Sequence, residues 1–102
     1  MTTRQPPDLA RVVAAIHELR EDWQQRFGLR VVGVIGSLGR GEAGPDSDID
    51  LLADRTGHPS LFDLDAMEAE LSRLFDRDVD IVVRSSLAPH WRAFAENELI
   101  AA

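Results

Sequence analysis

From Gly36 to Leu51 the chain reads GSLGRGEAGPDSDIDL, a glycine-rich stretch that ends in two closely spaced carboxylates. An apolar run, 31–35, precedes it, and Asp48, Ile49 and Asp50 open a second apolar run through Leu51, Leu52 and Ala53. The first run is continuous, which is typical of a strand that is covered on both faces of a sheet. The stretch therefore predicts two strands joined by a tight loop, with carboxylates at the start of the second strand.

The two carboxylates, Asp48 and Asp50, are two residues apart in the predicted strand 48–53. Residues at this spacing project from the same face, so we expect both to point away from the core. Two such carboxylates repel each other unless a cation or a proton lies between them. Oxygen ligands without cysteine or suitably spaced histidine favour Mg²⁺ or Mn²⁺ over zinc, and Mg²⁺ usually takes further ligands from substrate phosphates. The pair therefore predicts a metal–nucleotide site.

A third carboxylate, Asp80, lies within the predicted strand Val79–Val83, where an unpaired charge is costly. If this strand lies beside the second one, Asp80 reaches the side of the sheet that carries Asp48 and Asp50. The alternative is an acid that simply faces solvent. With the other two acids present, we favour the shared site.

The Gly36–Ser37 turn is the candidate phosphate-binding element. Glycine lets the backbone approach a phosphate closely, and Ser37 offers a hydroxyl and an amide where a short helix begins. Arg40 is the one cation between Gly36 and Asp50 and is a further candidate for phosphate contact. No lysine follows the glycines, which excludes a Walker-type loop.

The remaining elements follow from caps and periodicity. Asp8 and Ser60 are predicted helix N-caps, Gly28 a C-cap, and Pro89 the start of a last helix, 90–100. The side chains expected to face the core are Leu9, Val12, Ile16, Leu19, Trp23, Leu61, Leu64, Met67, Leu71, Leu74, Phe75, Trp91, Phe94, Leu99 and Ile100. The order helix, strand, short helix, strand, helix, strand, helix predicts an α+β (α/β) fold, a small mixed sheet flanked by helices.

Length and charge limit the function. The 102 residues predict one domain, 1–102, with a flexible lead-in over 1–7. No apolar run approaches the ~20 residues of a membrane span, and neither cysteines nor a signal-peptide core occur, so we expect a cytoplasmic protein without a membrane partner. The formal charge of −7 argues against direct nucleic-acid binding and suits a basic protein partner.

The combined motifs resemble the minimal nucleotidyltransferase antitoxins of the DNA polymerase β-like nucleotidyltransferase superfamily. Gly36–Ser37 is separated by ten residues from Asp48–Asp50, and Arg40–Gly41 lies between them. The third motif is the strand segment 79–82, which contains Asp80. The similarity extends over nearly the whole chain. Gly39 stands where alanine is common in the family, a small change that leaves the acids intact.

This resemblance implies a nucleotidyltransferase fold and a role for each motif. The Gly36–Ser37 turn and Arg40 would bind the phosphates of ATP, and Asp48 and Asp50 would hold Mg²⁺. Asp80 would complete the metal site and help to activate an acceptor hydroxyl, which receives AMP as pyrophosphate leaves.

The resemblance also implies a partner. Family members of this size typically act as antitoxins that transfer AMP to a tyrosine of a helical HEPN-type ribonuclease toxin, in a hetero-oligomer. Two alternatives stay open: an antitoxin that acts by docking only, with a vestigial site, and an enzyme whose acceptor is a small molecule such as an aminoglycoside. The chain contains no tyrosine and so cannot be its own tyrosyl acceptor.

Overall fold

The elements of the computed structural model, which describes residues 4–102, follow the predicted order, with one short strand added at the end. They are helix α1 (Leu9–Phe27), strand β1 (Leu29–Ile35), helix α2 (Gly36–Gly39), strand β2 (Ile49–Arg55), helix α3 (Leu61–Phe75), strand β3 (Val79–Val83), a 3₁₀ turn (Arg84–Ser86), helix α4 (Pro89–Glu98) and strand β4 (Ile100–Ala101). The prediction of a small mixed sheet flanked by helices is confirmed.

The four strands form one sheet in the order β3-β2-β1-β4. Strand β1 is antiparallel to both β2 and β4, whereas β2 and β3 are parallel and are connected through α3. In the parallel pair, Asp50 lies directly beside Asp80. In the antiparallel pair, Asp50 lies beside Ile35, the last residue before the glycine turn. The register thus brings the turn and two of the predicted acids to adjacent positions.

The two faces of the sheet are covered unequally. Helices α1 and α3 pack on one face, where they bury Ile49 and Leu51 of β2 in the larger hydrophobic cluster. Helix α4 packs on the other face in a smaller cluster that includes Leu52 and Ala95. Alternation along β2 places Asp50 on the same face as Leu52. The acids therefore lie on the face that α4 covers only in part.

The predicted caps are present. The Asp8 side chain accepts a hydrogen bond from the Ala10 N–H at 3.0 Å, and Ser60 and Asp63 form a reciprocal capping box at the start of α3. Gly28 ends α1 in the left-handed region with φ of +72°. Among residues 4–102 no helix has both the length and the apolar composition to cross a membrane.

The predicted limits of the first two strands were inexact, whereas those of β3 were correct. Strand β1 begins at Leu29, two residues before the predicted start, and β2 runs from Ile49 to Arg55 rather than over 48–53. The two ends pair with each other in the antiparallel ladder. Backbone hydrogen bonds join the strands at this end, where Arg30, Asp54 and Arg55 interrupt the apolar pattern from which the limits were predicted.

The last helix ends earlier than predicted. It stops at Glu98 rather than at Ile100, and Ile100–Ala101 pairs with Gly33 and Val34 of β1. Gly33 leaves room for this edge strand, because a Cβ there would lie 2.2 Å from the Ile100 carbonyl oxygen. Helical periodicity does not predict this pairing.

Several side chains expected in the core are exposed. Trp91 and Phe94 are 57% and 56% exposed, and Ile100 is 38% exposed, so their predicted burial is wrong. Instead Ala95 is the buried residue of α4, while Leu99 packs against the smaller cluster as expected. An apolar pattern shows which residues could be buried, but a single short helix on this face leaves part of its surface uncovered.

Helix α3 shows the same limit at its ends. Met67, Leu71 and Phe75 are buried as predicted, whereas Leu61 and Leu74 are 79% and 40% exposed. Leu61 occupies the first turn of α3, where no second layer of structure covers it. The predicted stripe is therefore wrong at Leu61 and Leu74, near the two ends of the helix, although Phe75, the last residue, is buried.

The predicted flexible lead-in falls partly on residues 1–3, which are outside the described residues. Residues 4–7 have no regular secondary structure. Arg77 connects them to the end of α3, because its guanidinium donates to the Gln5 carbonyl at 2.6 Å.

Candidate active site

The glycine turn and Asp50 are in direct contact. Gly36 follows β1 with φ of +74°, a conformation that side-chain-bearing residues rarely adopt. A Cβ at this position would lie 2.3 Å from Oδ2 of Asp50. Glycine is therefore required at residue 36 both by the backbone conformation and by the carboxylate that lies against it.

Asp50 stands at the centre of a group of negative charges. Burial raises the pKa of Asp50 above its ordinary value. Three neighbouring carboxylates raise this pKa further, in the order Asp80, Asp48, Glu98, and Arg40 opposes them only in part. This group of residues, called the cleft below, consists of Asp48, Asp50, Asp80 and Glu98 with Arg40, and it holds more negative charge than its one cation neutralises.

Two of the three acids that the sequence singled out lie side by side on neighbouring strands, and the third, Asp48, is near enough to raise the pKa of Asp50. Asp80 is exposed on β3 beside Asp50, at the spacing of about 4.8 Å that separates neighbouring strands. Asp48 is exposed just before β2 begins. Because Ile49 and Leu51 are buried on the opposite face, the carboxylates are left at the surface.

These residues suit a hard divalent cation. Carboxylate oxygens with uncompensated negative charge are the ligands that Mg²⁺ prefers. Among residues 4–102, the histidine, aspartate and glutamate side chains do not form a preformed group of three metal ligands. Mg²⁺ commonly binds through one or two carboxylates and completes its shell with water and substrate phosphate, so the arrangement fits this ion.

The turn predicted to bind phosphate contacts a residue that the sequence did not predict. The Gly36 N–H donates to Oε1 of Glu98 at 3.0 Å, and Nη1 of Arg40 donates to Oε2 of the same residue at 3.0 Å. Arg40 also donates through Nε to Glu42 at 3.1 Å. These bonds, to Glu42 first and to Glu98 second, raise the pKa of Arg40.

Glu98 could not have been found from local sequence. It lies 62 residues from Gly36 and 58 from Arg40, at the end of a helix whose position depends on tertiary packing. Ser37, by contrast, lies where predicted, in α2, and its carbonyl accepts from the Glu42 N–H at 2.8 Å, which closes the turn.

Comparison with known proteins agrees with this fold. The family model of the nucleotidyltransferase domain matches residues 16–102. The protein adenylyltransferase MntA of Thermococcus cleftensis is 44% identical over 68 residues, which are 67% of this chain and 69% of that protein. A solved structure of a protein described as a minimal nucleotidyltransferase matches with a TM-score of 0.76 and 35% identity, over 91% of this chain and 94% of that chain.

A more distant structure shares the same fold. It is a toxin–antitoxin with AMP-PNP, and it is 20% identical with a TM-score of 0.59, over 72% of this chain and 60% of that chain. The family model and the more similar relatives identify a nucleotide-transferring enzyme. The chain belongs to the nucleotidyltransferase family, in agreement with the resemblance seen in its sequence.

Proposed function

We propose that the chain transfers AMP from ATP to a hydroxyl group of a separate protein, with Mg²⁺ as cofactor. We further propose that this protein is a HEPN-type ribonuclease toxin, modified on tyrosine and thereby silenced. The observation that carries the proposal is the contact between the Gly36 turn and Asp50. Asp50 lies in a group of acids whose negative charge exceeds the positive charge of the neighbouring Arg40. A relative that is 44% identical to the chain over 68 residues is named a protein adenylyltransferase.

Each acid has a distinct role in this proposal. Asp48 and Asp50 would hold Mg²⁺, which neutralises charge on the phosphates when bound, and Asp80 would supply a third carboxylate. The exposure of Asp80 beside Asp50 supports our proposal that it accepts the proton of the acceptor hydroxyl. The acceptor oxygen forms a bond to the α-phosphorus as the bond to the β-phosphate oxygen breaks, and pyrophosphate leaves in line.

The Gly36–Ser37 turn and Arg40 would orient the nucleotide. A backbone amide and a guanidinium are the groups that hold phosphate oxygens in fixed directions. Such positioning is most of what an enzyme contributes to phosphoryl-type transfer, because the chemistry needs little covalent help.

The acceptor must come from outside the chain if it is a tyrosine, because none of the 102 residues is one. The formal charge of −7 favours a basic partner. Both features support a hetero-oligomer of enzyme and acceptor protein.

The test is to mix the chain with the protein encoded beside it, ATP and Mg²⁺, and to weigh the products. AMP adducts should appear on the partner and should be absent with Asp48→Asn or Asp50→Asn. If those variants relieve toxicity as well as the native chain without any mass change, neutralisation by docking alone is the better account. The exposed Trp91 and Phe94 side chains would then be the first surface to examine.

Substitution of Asp80 distinguishes an effect on ATP binding from an effect on AMP transfer. Because it would act on the acceptor, Asp80→Asn should reduce transfer far more than it reduces ATP affinity. Calorimetry and mass spectrometry on the same preparation measure the two effects. Equal losses of affinity and transfer would instead make Asp80 chiefly a nucleotide-binding residue.

A further inference from the structure

The donors of the glycine turn are already occupied by the protein itself. Both carboxylate oxygens of Glu98 are engaged, one with the Gly36 N–H and the other with Arg40, each at 3.0 Å. The Glu98 side chain is only 13% exposed. An anion is therefore held at the place where the phosphates of a nucleotide would bind.

The two contacts have the chemistry of a phosphate site. A backbone N–H and a guanidinium that converge on the oxygens of one anion bind carboxylates and phosphates alike through charge-assisted hydrogen bonds. Glu98 satisfies both donors, yet it also adds a negative charge that contributes to the raised pKa of Asp50. Glu98 therefore completes the hydrogen bonds of the turn but increases the excess of negative charge around Asp50.

We propose that Glu98 is a built-in competitor of the nucleotide, which fills the Gly36–Arg40 donors in the free chain and must leave them when ATP binds. The inference rests on the proposed function, because it assumes that nucleotide phosphates use these donors. It deepens that function by assigning control of nucleotide affinity to a residue outside the sequence motifs.

The release of Glu98 would require movement of its side chain only. Glu98 is the last residue of α4, and the β4 pairing follows two residues later. We expect rotation about the side-chain bonds to move the carboxylate away from the turn without disturbing this pairing. Arg40, freed from Glu98, can then contact phosphate while it keeps its bond to Glu42.

Glu42 offers a matched control. It is also a glutamate bound to Arg40, at 3.1 Å, but its side chain has no bond to the Gly36 N–H. Loss of negative charge near Arg40 is common to Glu42→Gln and Glu98→Gln. Only the Glu98 variants change the anion that occupies the backbone donor.

The experiment measures the affinity of the native chain, Glu98→Gln, Glu98→Ala and Glu42→Gln for inorganic tripolyphosphate without metal, and for ATP with Mg²⁺. Calorimetry should show affinity about tenfold higher for Glu98→Ala, which corresponds to roughly 1.4 kcal/mol. Glu98→Gln should show a smaller gain, and Glu42→Gln less again. Thermal melts identify any variant that fails to fold, and Glu98→Gln preserves the side-chain shape if the alanine variant does fail.

A second measurement follows the donor directly. The Gly36 amide resonance should shift in Glu98→Ala, and tripolyphosphate should shift it in the native chain as the carboxylate is displaced. Unchanged or weaker affinity in folded Glu98 variants would overturn the proposal and make Glu98 a support of the turn. A native chain that binds ATP but modifies no partner would instead count against the proposed function.

Discussion

Two groups of acidic side chains in this molecule have opposite surroundings. Between α1 and α3, Glu70 and Asp22 share the guanidinium of Arg26, with bonds of 2.9 Å to each. The bond to Arg26 lowers the pKa of Glu70. In the cleft, burial and acidic neighbours raise the pKa of Asp50.

The difference indicates what each group contributes. Paired acids on an exposed helix surface add a little stability, and the arginine already balances their charge. Acids that face one another destabilise the free chain, and such an arrangement is a common property of sites that bind a cation or move a proton. The predictions below test whether the cleft acids are functional and the paired acids structural.

The largest effect is expected on catalysis. Asp50→Asn should reduce AMP transfer by at least about a hundredfold, the usual loss when a group that stabilises transition-state charge is removed. Asp54→Asn is the matched control, because Asp54 lies on the same strand but is bonded to Arg84 at 2.9 and 3.0 Å. Its transfer rate, measured by mass spectrometry, should stay near the native value. Equal losses in the two variants would remove the distinction between paired and unpaired acids.

The next largest effect is expected when the contact between the Gly36 turn and the Asp50 carboxylate is disturbed. Gly36→Ala and Gly41→Ala introduce the same side chain at φ values of +74° and +75°. At Gly41 nothing lies within 4 Å of the added Cβ, whereas at Gly36 Asp50 lies 2.3 Å away. We expect Gly41→Ala to cost about 1–2 kcal/mol and Gly36→Ala clearly more, together with loss of ATP binding.

Denaturant unfolding and calorimetry on both variants provide the comparison. If Gly36→Ala binds ATP normally and unfolds like Gly41→Ala, the turn is not held against Asp50 in the way that the structure shows.

Much of this cleft could be predicted from the sequence because its parts are local. The spacing of Asp48 and Asp50 fixes their common face, and a charge inside an apolar strand marks Asp80 as unusual. Parallel pairing of β2 and β3 then brings Asp80 beside Asp50. Each step depends on strand periodicity and on a single neighbouring strand.

The parts that the sequence did not predict depend on distant packing. Glu98 reaches Gly36 only because α4 crosses the partly covered face of the sheet. The exposure of Trp91 and Phe94 has the same origin, since Ala95 is the residue that packs. Strand β4 depends on the space beside Gly33. No local pattern encodes these three features.

A smaller effect is expected on stability in the cleft. A raised pKa in the folded state means that ionised Asp50 destabilises the fold at neutral pH, so Asp50→Asn should raise Tm by a few degrees. As pH falls through the raised pKa and then below the unfolded value, the native chain regains this stability. The Tm difference should therefore shrink in acid. Melting curves from neutral to acidic pH measure it, and a lower Tm for Asp50→Asn at neutral pH would contradict the prediction.

The smallest effect is expected at the paired acids, where the sign reverses. Glu70→Gln should lower Tm at neutral pH by roughly 2 °C, because exposed pairs contribute little. The lowered pKa of Glu70 means that its contribution is present above the unfolded pKa and is lost as pH falls through the folded one. Glu70→Gln and Asp50→Asn each remove one negative charge from a chain of formal charge −7, so net charge alone predicts the same sign for both. Opposite signs in melts at one ionic strength would show that the local partner decides, and a rise in Tm for both would show that overall repulsion does.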